Sequence, residues 1–309
     1  MNKQLGMEKA ADSLVNPSSR EDSVTWKDYV QITKPRIIQS NLIAAFGGFW
    51  VASKWDIDWL LLIQVLIGCT LVMASACVFN NYLDRELDTK MDRTRERPTA
   101  TGKLKPSHVL VYGSILGLIG LAVLLLINLW SAILGIVGMF VYVVVYTLWL
   151  KRTSTWSTSM GGVSGAMPPM IGYVAVTGEV DMGAWLLFAF LFLWQPPHFW
   201  ALGIRRKEEY RAAGFPLLPV VKGVKRTKLQ MIPYVVLLIV FPILMYTYKY
   251  TGMIFLVAGV LLALVWLIIC FQGFTAKNDE AWSKKAFMFS VNYLMIMFLI
   301  MILDTATKA

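Results

Sequence analysis

The chain has 309 residues, 57% of them hydrophobic and only 16% charged, with a formal net charge of +10. This composition excludes an ordinary soluble globular domain, and the basic surplus reads as orientation in a membrane rather than as a nucleic-acid surface. Cys69, Cys77 and Cys270 all lie in apolar runs without metal-ligand spacing, which argues against a cysteine metal centre and a disulfide scaffold.

Residues 1–30 are polar and mixed in charge, with no apolar core of a signal peptide. They are expected to form a flexible cytoplasmic tail, turning helical near Trp26 to Ile32. Residues 31–309 then form a single polytopic domain. Nine apolar runs follow, at about 36–53, 59–82, 107–128, 130–149, 159–177, 184–203, 229–249, 252–272 and 285–304. Runs near 20 residues cross a hydrocarbon core of about 30 Å as helices, the form that satisfies their own backbone in lipid. The expected fold is therefore an all-α integral membrane protein with nine spans. Placing the N-terminus inside puts every Lys and Arg on the inner side except Lys54, Lys249 and Lys308. The C-terminus then falls outside.

Two inner loops, 84–106 and 204–228, are much longer than the outer connections, and loops of this length in a compact architecture are usually functional or disordered. Their prolines and apolar residues suggest order. The first loop opens on the densest charge cluster of the chain, Asn80-Asn81-Tyr82-Leu83-Asp84-Arg85-Glu86-Leu87-Asp88. Asn80, Asp84 and Asp88 stand four apart, so each helical step turns only ~40° and climbs ~6 Å, and the three line one face. Asp92 extends the row if the helix lasts that far. Such a row is either a solvated helix end paired locally with Arg85 and Lys90, or a site for a hard cation. Asn80 and Asn81 at the membrane boundary favour the second, and Mg²⁺ is bound through one or two carboxylates plus substrate phosphates. Arg93, Arg95 and Arg97 follow closely, as a diphosphate leaving group requires.

Lys151 and Arg152 open the short loop after the fourth run. His198 follows Pro196-Pro197 inside the sixth run, where the prolines should kink the helix and free the carbonyls near Phe192 and Leu193. Its role is either a bond to a neighbouring helix or a functional one, contacting a substrate or handling a proton. Were the helix to resume, His198, Leu202, Arg205 and Glu209 would share a face. Gly161 and Gly165 form a GxxxG that reads as close packing. Tyr142, Tyr146, Trp149 and Trp156 either line a chain pocket or form an interfacial belt.

These motifs, in this order, resemble the intramembrane aromatic prenyltransferases of the UbiA type, whose first motif is N-D-x-x-D-x-x-x-D after the second helix. Asn80, Asp84 and Asp88 match it, with Asn81 where the general pattern has Asp. That departure, with Thr33-Lys34-Pro35-Arg36-Ile37, Tyr146-Thr147, Leu150-Lys151-Arg152, Pro168-Pro169, Trp194-Gln195-Pro196-Pro197-His198 and Leu218-Pro219-Val220-Val221-Lys222-Gly223, is similar to the haem-farnesylating branch. The resemblance implies transfer of a farnesyl group from farnesyl diphosphate to the 2-vinyl group of haem b, with addition of water, in the cytoplasmic membrane. It implies Mg²⁺ on Asn80, Asp84 and Asp88, with Lys151 and His198 also catalytic. Arg93, Arg97, Arg152, Arg206, Glu209 and Tyr146 would bind substrate, and a haem A synthase would be a partner. The second long loop lacks D-x-x-x-D, so the facing half of the site is expected to be largely basic. A prenyltransferase acting on a quinone precursor would keep the first motif without the Pro196-Pro197-His198 region. A transporter would be expected to carry interrupted helices with midplane charge.

Overall fold

The computed structural model describes residues 24–307. Within them the regular structure is helical, with one isolated antiparallel bridge between Thr251 and Thr305. The helices are α1 Trp26–Ile32, α2 Pro35–Ser53, α3 Trp59–Asp88, α4 Pro106–Ile127 and α5 Leu129–Thr153, then the shorter α6 Ser157–Gly165 and α7 Met167–Thr177. The second half holds α8 Met182–Arg205, α9 Lys207–Ala212, α10 Leu218–Val221, α11 Gly223–Thr247, α12 Met253–Thr275 and α13 Asp279–Leu303.

Seven of these, α3, α4, α5, α8, α11, α12 and α13, are long and apolar enough to cross a membrane. The first and fifth expected runs are not among them. The first forms α2, whose first two turns carry Arg36, Gln39, Ser40 and Asn41. The fifth is divided at Ala166, because Pro168 and Pro169 lack the N–H that a continuous helix needs and instead start α7. The tail also becomes regular before residue 31. Thr25 and Asp28 form a capping box at the start of α1, with the Thr25 N–H 2.8 Å from Asp28 Oδ2. Residues 1–23 of that tail lie outside the described residues.

Helices α3, α5 and α8 start on side chains that accept their first N–H groups: Asp58 from Leu61, Asn128 from Ser131 and Asp181 from Ala184. Glycines set the closest approaches. A Cβ on Gly48 would lie 1.9 Å from the Pro169 carbonyl, and one on Gly172 would lie 2.0 Å from that of Ala45. The backbones of α2 and α7 therefore touch, as small residues permit in membrane helices. Gly165 of the GxxxG is likewise pressed against Gln195 of α8, where a Cβ would meet Oε1 at 2.1 Å.

Helix α8 forms the middle of the second half. Phe190 stacks on Phe241 of α11 with ring centroids 4.4 Å apart, and the Trp194 indole donates to the Ser290 carbonyl of α13 at 2.8 Å. At the end of the bundle that carries Asp84 and Asp88 the two long loops meet. Met91 from the first loop is buried with Ala213 and Phe215 from the second, flanked by Leu87, Tyr210 and Leu217. This apolar contact roofs the ends of α3 and α5.

Candidate active site

Helix α3 runs through the charged motif and stops at Asp88, leaving Asn80, Asp84 and Asp88 on one buried face at 2%, 0% and 4% exposure. Asp92 falls beyond the helix end, exposed, and pairs with Arg95 at 3.1 Å, so neither joins the row. Each carboxylate of the row already has a cation. Lys151 donates to Asp84 Oδ2, and the Arg152 guanidinium lies 3.5 Å from Oδ1 while donating to the Leu83 carbonyl at 2.7 Å. Arg97 Nη1 donates to Asp88 Oδ2 at 2.7 Å. The Asn80 amide donates to Asp84 Oδ2 and to the Thr147 hydroxyl, both at 2.9 Å, and its carbonyl accepts from Lys34.

Thr147 lies in a π-helical stretch, Val141–Leu150, where its hydroxyl donates back to the Tyr142 carbonyl at 2.8 Å. The wider winding is a feature that recurs at functional sites. Tyr142 and Tyr146 stack with centroids 5.7 Å apart. Both line a cavity of about 450 Å³ that begins at Lys34, Asn80, Asp88, Arg93, Arg97 and Lys151. Its deep wall is Cys69, Val72, Met73, Leu134, Met139 and Ile171. Asn80 and Cys69 lie eleven residues apart on α3, about 16 Å along the axis. Ile37 of α2 and Phe199 of α8 also line the cavity, yet are 49% and 46% exposed, so it opens sideways between these helices.

Of the predicted residues, Asn80, Asp88, Lys151, Arg93, Arg97 and Tyr146 meet at the cavity, with Asp84 buried beneath Lys151. Arg152 is set behind Asp84 rather than on the cavity wall. Arg206 and Glu209 pair with each other at 3.2 Å, half-exposed. Glu209 lies on α9, so it does not continue the α8 face carrying His198. His198 is turned away from the cavity. Its ring lies between Trp194 and Phe287, centroids 4.4 and 4.6 Å away, and Nδ1 is 2.7 Å from Ser290 Oγ. Because the Ser290 hydroxyl donates to the Phe287 carbonyl at 2.6 Å, Nδ1 carries the proton and donates to Ser290. α8 runs unbroken through Pro196 and Pro197. Trp149 and Trp156 are exposed and belong to the outer surface of the helices, unlike Tyr142 and Tyr146.

The facing loop is aromatic where a basic surface was expected. Tyr210, Phe215 and Leu217 line the cavity, and Lys151 Nζ sits 4.8 Å from the Phe215 ring centroid. Lys34 is the cation that spacing did not single out. It occupies the left-handed region at φ 57° between α1 and α2, a conformation costing a non-glycine residue about 1–3 kcal/mol. Its placement next to Pro35, in a motif noted only for resemblance, was the available signal. Burial pushes the Lys34 ammonium down to about 8.

The donors around the row are all oxygens, and Asp84 Oδ1 is buried with no hydrogen-bond partner. This set fits one hard dication completed by phosphate oxygens. Among the described residues no cluster of three or more His, Cys, Asp or Glu is assembled, so the fit does not extend to a cage built from protein alone.

A profile of the UbiA prenyltransferase family matches residues 41–293. The chain is 45% identical to protoheme IX farnesyltransferase 1 of Bacillus subtilis, over 97% of its own length and 98% of that protein. It is 43% identical to the protoheme IX farnesyltransferase of Alkalihalophilus pseudofirmus, over 90% of each. Among solved structures, a digeranylgeranylglyceryl phosphate synthase superposes with a TM-score of 0.77 at 21% identity, covering 90% of this chain and 97% of that one. A UbiA homologue from Archaeoglobus fulgidus bound to GPP and Mg²⁺ gives 0.66 at 14% identity, covering 89% and 99%.

Proposed function

The chain belongs to the UbiA prenyltransferase family, and from that premise we propose that it transfers the farnesyl group of farnesyl diphosphate to the 2-vinyl group of haem b, with addition of water, giving haem O and diphosphate. The observation that carries this reading is a single cavity with a charged mouth and an apolar depth. Its volume of about 450 Å³ lies within the range of about 300–1,000 Å³ of small-molecule sites. The depth of about 16 Å below Asn80 is on the scale of an extended farnesyl chain.

At the mouth Lys34, Arg93, Arg97 and Lys151 outnumber the carboxylates of Asp84 and Asp88, so the mouth favours a polyanion. Asp84 and Asp88, with Asn80, are the residues that would hold Mg²⁺, which when bound supplies charge stabilisation to the departing diphosphate. Lys151, Arg93 and Arg97 take up the negative charge that develops as the C1–O bond breaks and its electron pair goes to the diphosphate. The faces of Tyr142 and Tyr146 favour the allylic cation left behind. The roof of Met91, Ala213 and Phe215 limits water there, which would otherwise give farnesol. The vinyl π-bond then forms the new C–C bond to the farnesyl carbon, and water adds to the resulting porphyrin-side cation with loss of a proton.

The sideways opening at Ile37 and Phe199 is where the porphyrin edge meets the chain, because a cavity of this size does not also enclose a haem. We read the protein as a cell-membrane protein whose residues 31–309 form one domain with nine crossings, N-terminus inside and C-terminus outside. α2 and the α6–α7 pair complete the seven long helices, and the distribution of Lys and Arg supports this orientation. A haem A synthase as acceptor of the product is part of the same proposal. The test is to incubate the protein in nanodiscs with haem b, farnesyl diphosphate and Mg²⁺ and to follow pigment mass. A haem heavier by one farnesyl and one hydroxyl group supports the reading. Unchanged haem beside a prenylated quinone precursor, when both acceptors are offered, contradicts it.

A further inference from the structure

Asn81 belongs to the first motif but does not face the cavity. Its amide nitrogen donates to the Ile32 carbonyl at 2.6 Å and to the Cys77 carbonyl at 3.0 Å, at 1% exposure. Ile32 is the last residue of α1, where the final carbonyls of a helix lose their intrahelical donors. Its side chain is held in a small core with Val78, Leu104 and Val109. Two residues later, Lys34 turns into the left-handed region, starts α2 and places its ammonium on Asn80. A residue in that conformation persists only where its surroundings over-determine it. Asn81 and Asn80 are neighbours on α3, so one helix holds both ends of the elbow: Asn81 grips the backbone before it, and Asn80 receives the side chain after it.

We infer that Asn81 is a positioning residue for Lys34: its amide pins the end of α1 so that Lys34 is delivered to the diphosphate mouth. This assigns a physical reason to an amide at a position where the wider motif carries a carboxylate. A carboxylate has no proton to donate and would stand within hydrogen-bond distance of two carbonyl oxygens. The inference rests on the reading of the mouth as a diphosphate site.

The test uses the full chain in nanodiscs, with inorganic diphosphate and a non-hydrolysable farnesyl diphosphate analogue as probes, each titrated calorimetrically with Mg²⁺ present. N81D is expected to weaken both probes about tenfold and to raise KM for farnesyl diphosphate, with kcat at saturation within about twofold. K34G, which tolerates the left-handed conformation, is expected to show the same weakening. Adding N81D to K34G should cause no further loss, because no amine remains to be positioned. Unchanged affinity in N81D, additive losses in the double variant, or tighter Mg²⁺ dependence in N81D as expected of a metal ligand would overturn the inference. If N81D does not fold, N81A removes the donor without adding charge and gives the same reading. Failure of both to fold beside a normal K34G would assign the contact to the fold alone. Absence of binding by the unsubstituted protein would instead contradict the diphosphate reading itself.

Discussion

Arg97 Nη1 lies 2.7 Å from Asp88 Oδ2, joining the last carboxylate of α3 to the loop that follows it. With Lys151 on Asp84, it means that the acidic row is already neutralised by the cations proposed to receive a diphosphate. The mouth is therefore a network of opposed charges under an apolar roof, and its parts should respond to substitution as pairs.

Removing Lys151 leaves the buried Asp84 with only Arg152 at 3.5 Å as its counter-charge, at a cost of up to about 3 kcal/mol. It also removes a cation from the leaving group, a loss of about 10²–10³ in kcat. K151M is expected to show both effects. D84N/K151M should recover most of the thermal stability and none of the turnover. Thermal unfolding in detergent beside a single-turnover assay separates the two. Recovery of turnover in the double variant would contradict the assignment of Lys151 to the diphosphate.

The deep wall should set chain length. C69F fills the far end of the cavity at the Cys69 level. It is expected to shift the ratio of kcat/KM for farnesyl over geranyl diphosphate towards geranyl by about tenfold, the scale on which apolar pockets discriminate. Competition between the two diphosphates, read by product mass, checks it. An unchanged ratio would place the chain elsewhere.

His198 is expected to behave as a packing residue. H198F keeps an aromatic ring between Trp194 and Phe287 and loses the bond to Ser290, which should cost about 1 kcal/mol of stability. kcat/KM should stay within about threefold. Loss of haem binding in a folded H198F, followed by visible absorption, would restore the role expected from sequence.

The Asp28 carboxyl is held below its usual value, first by the Thr25 backbone N–H and then by Lys103, 3.0 Å away. A depressed carboxyl contributes stability that is present above the unfolded value of 3.8 and is lost as pH falls through the lower folded value. D28N is expected to lower the unfolding temperature at neutral pH, with a capping contribution of about 1 kcal/mol. The difference from the unsubstituted protein should vanish in strong acid. A difference that persists below that range would remove the capping carboxylate as its cause.

Apolar run length carried much of this architecture because it is a direct physical requirement of a membrane crossing. The four-residue spacing of Asn80, Asp84 and Asp88 likewise fixed their shared face, provided that α3 continued to Asp88. Other features depend on tertiary partners that spacing does not encode. Asp92 left the row because α3 stops four residues earlier. His198 turned away because Ser290 and Phe287 lie more than 85 positions later and offer it a bond and a stack. The division of the fifth run at Ala166 was written in Pro168 and Pro169, although its apolar content read as continuous. The π-helical winding at Val141–Leu150 and the left-handed Lys34 have no spacing signature.

The most direct measurement follows an isotope-labelled farnesyl group through a single turnover in nanodiscs, with haem b and Mg²⁺ present. Label is expected in haem O, with little in farnesol, and its transfer should stop in D84N or after chelation. Label that stays in the diphosphate, or that passes only to farnesol with haem b bound, would contradict farnesyl transfer to haem at this mouth.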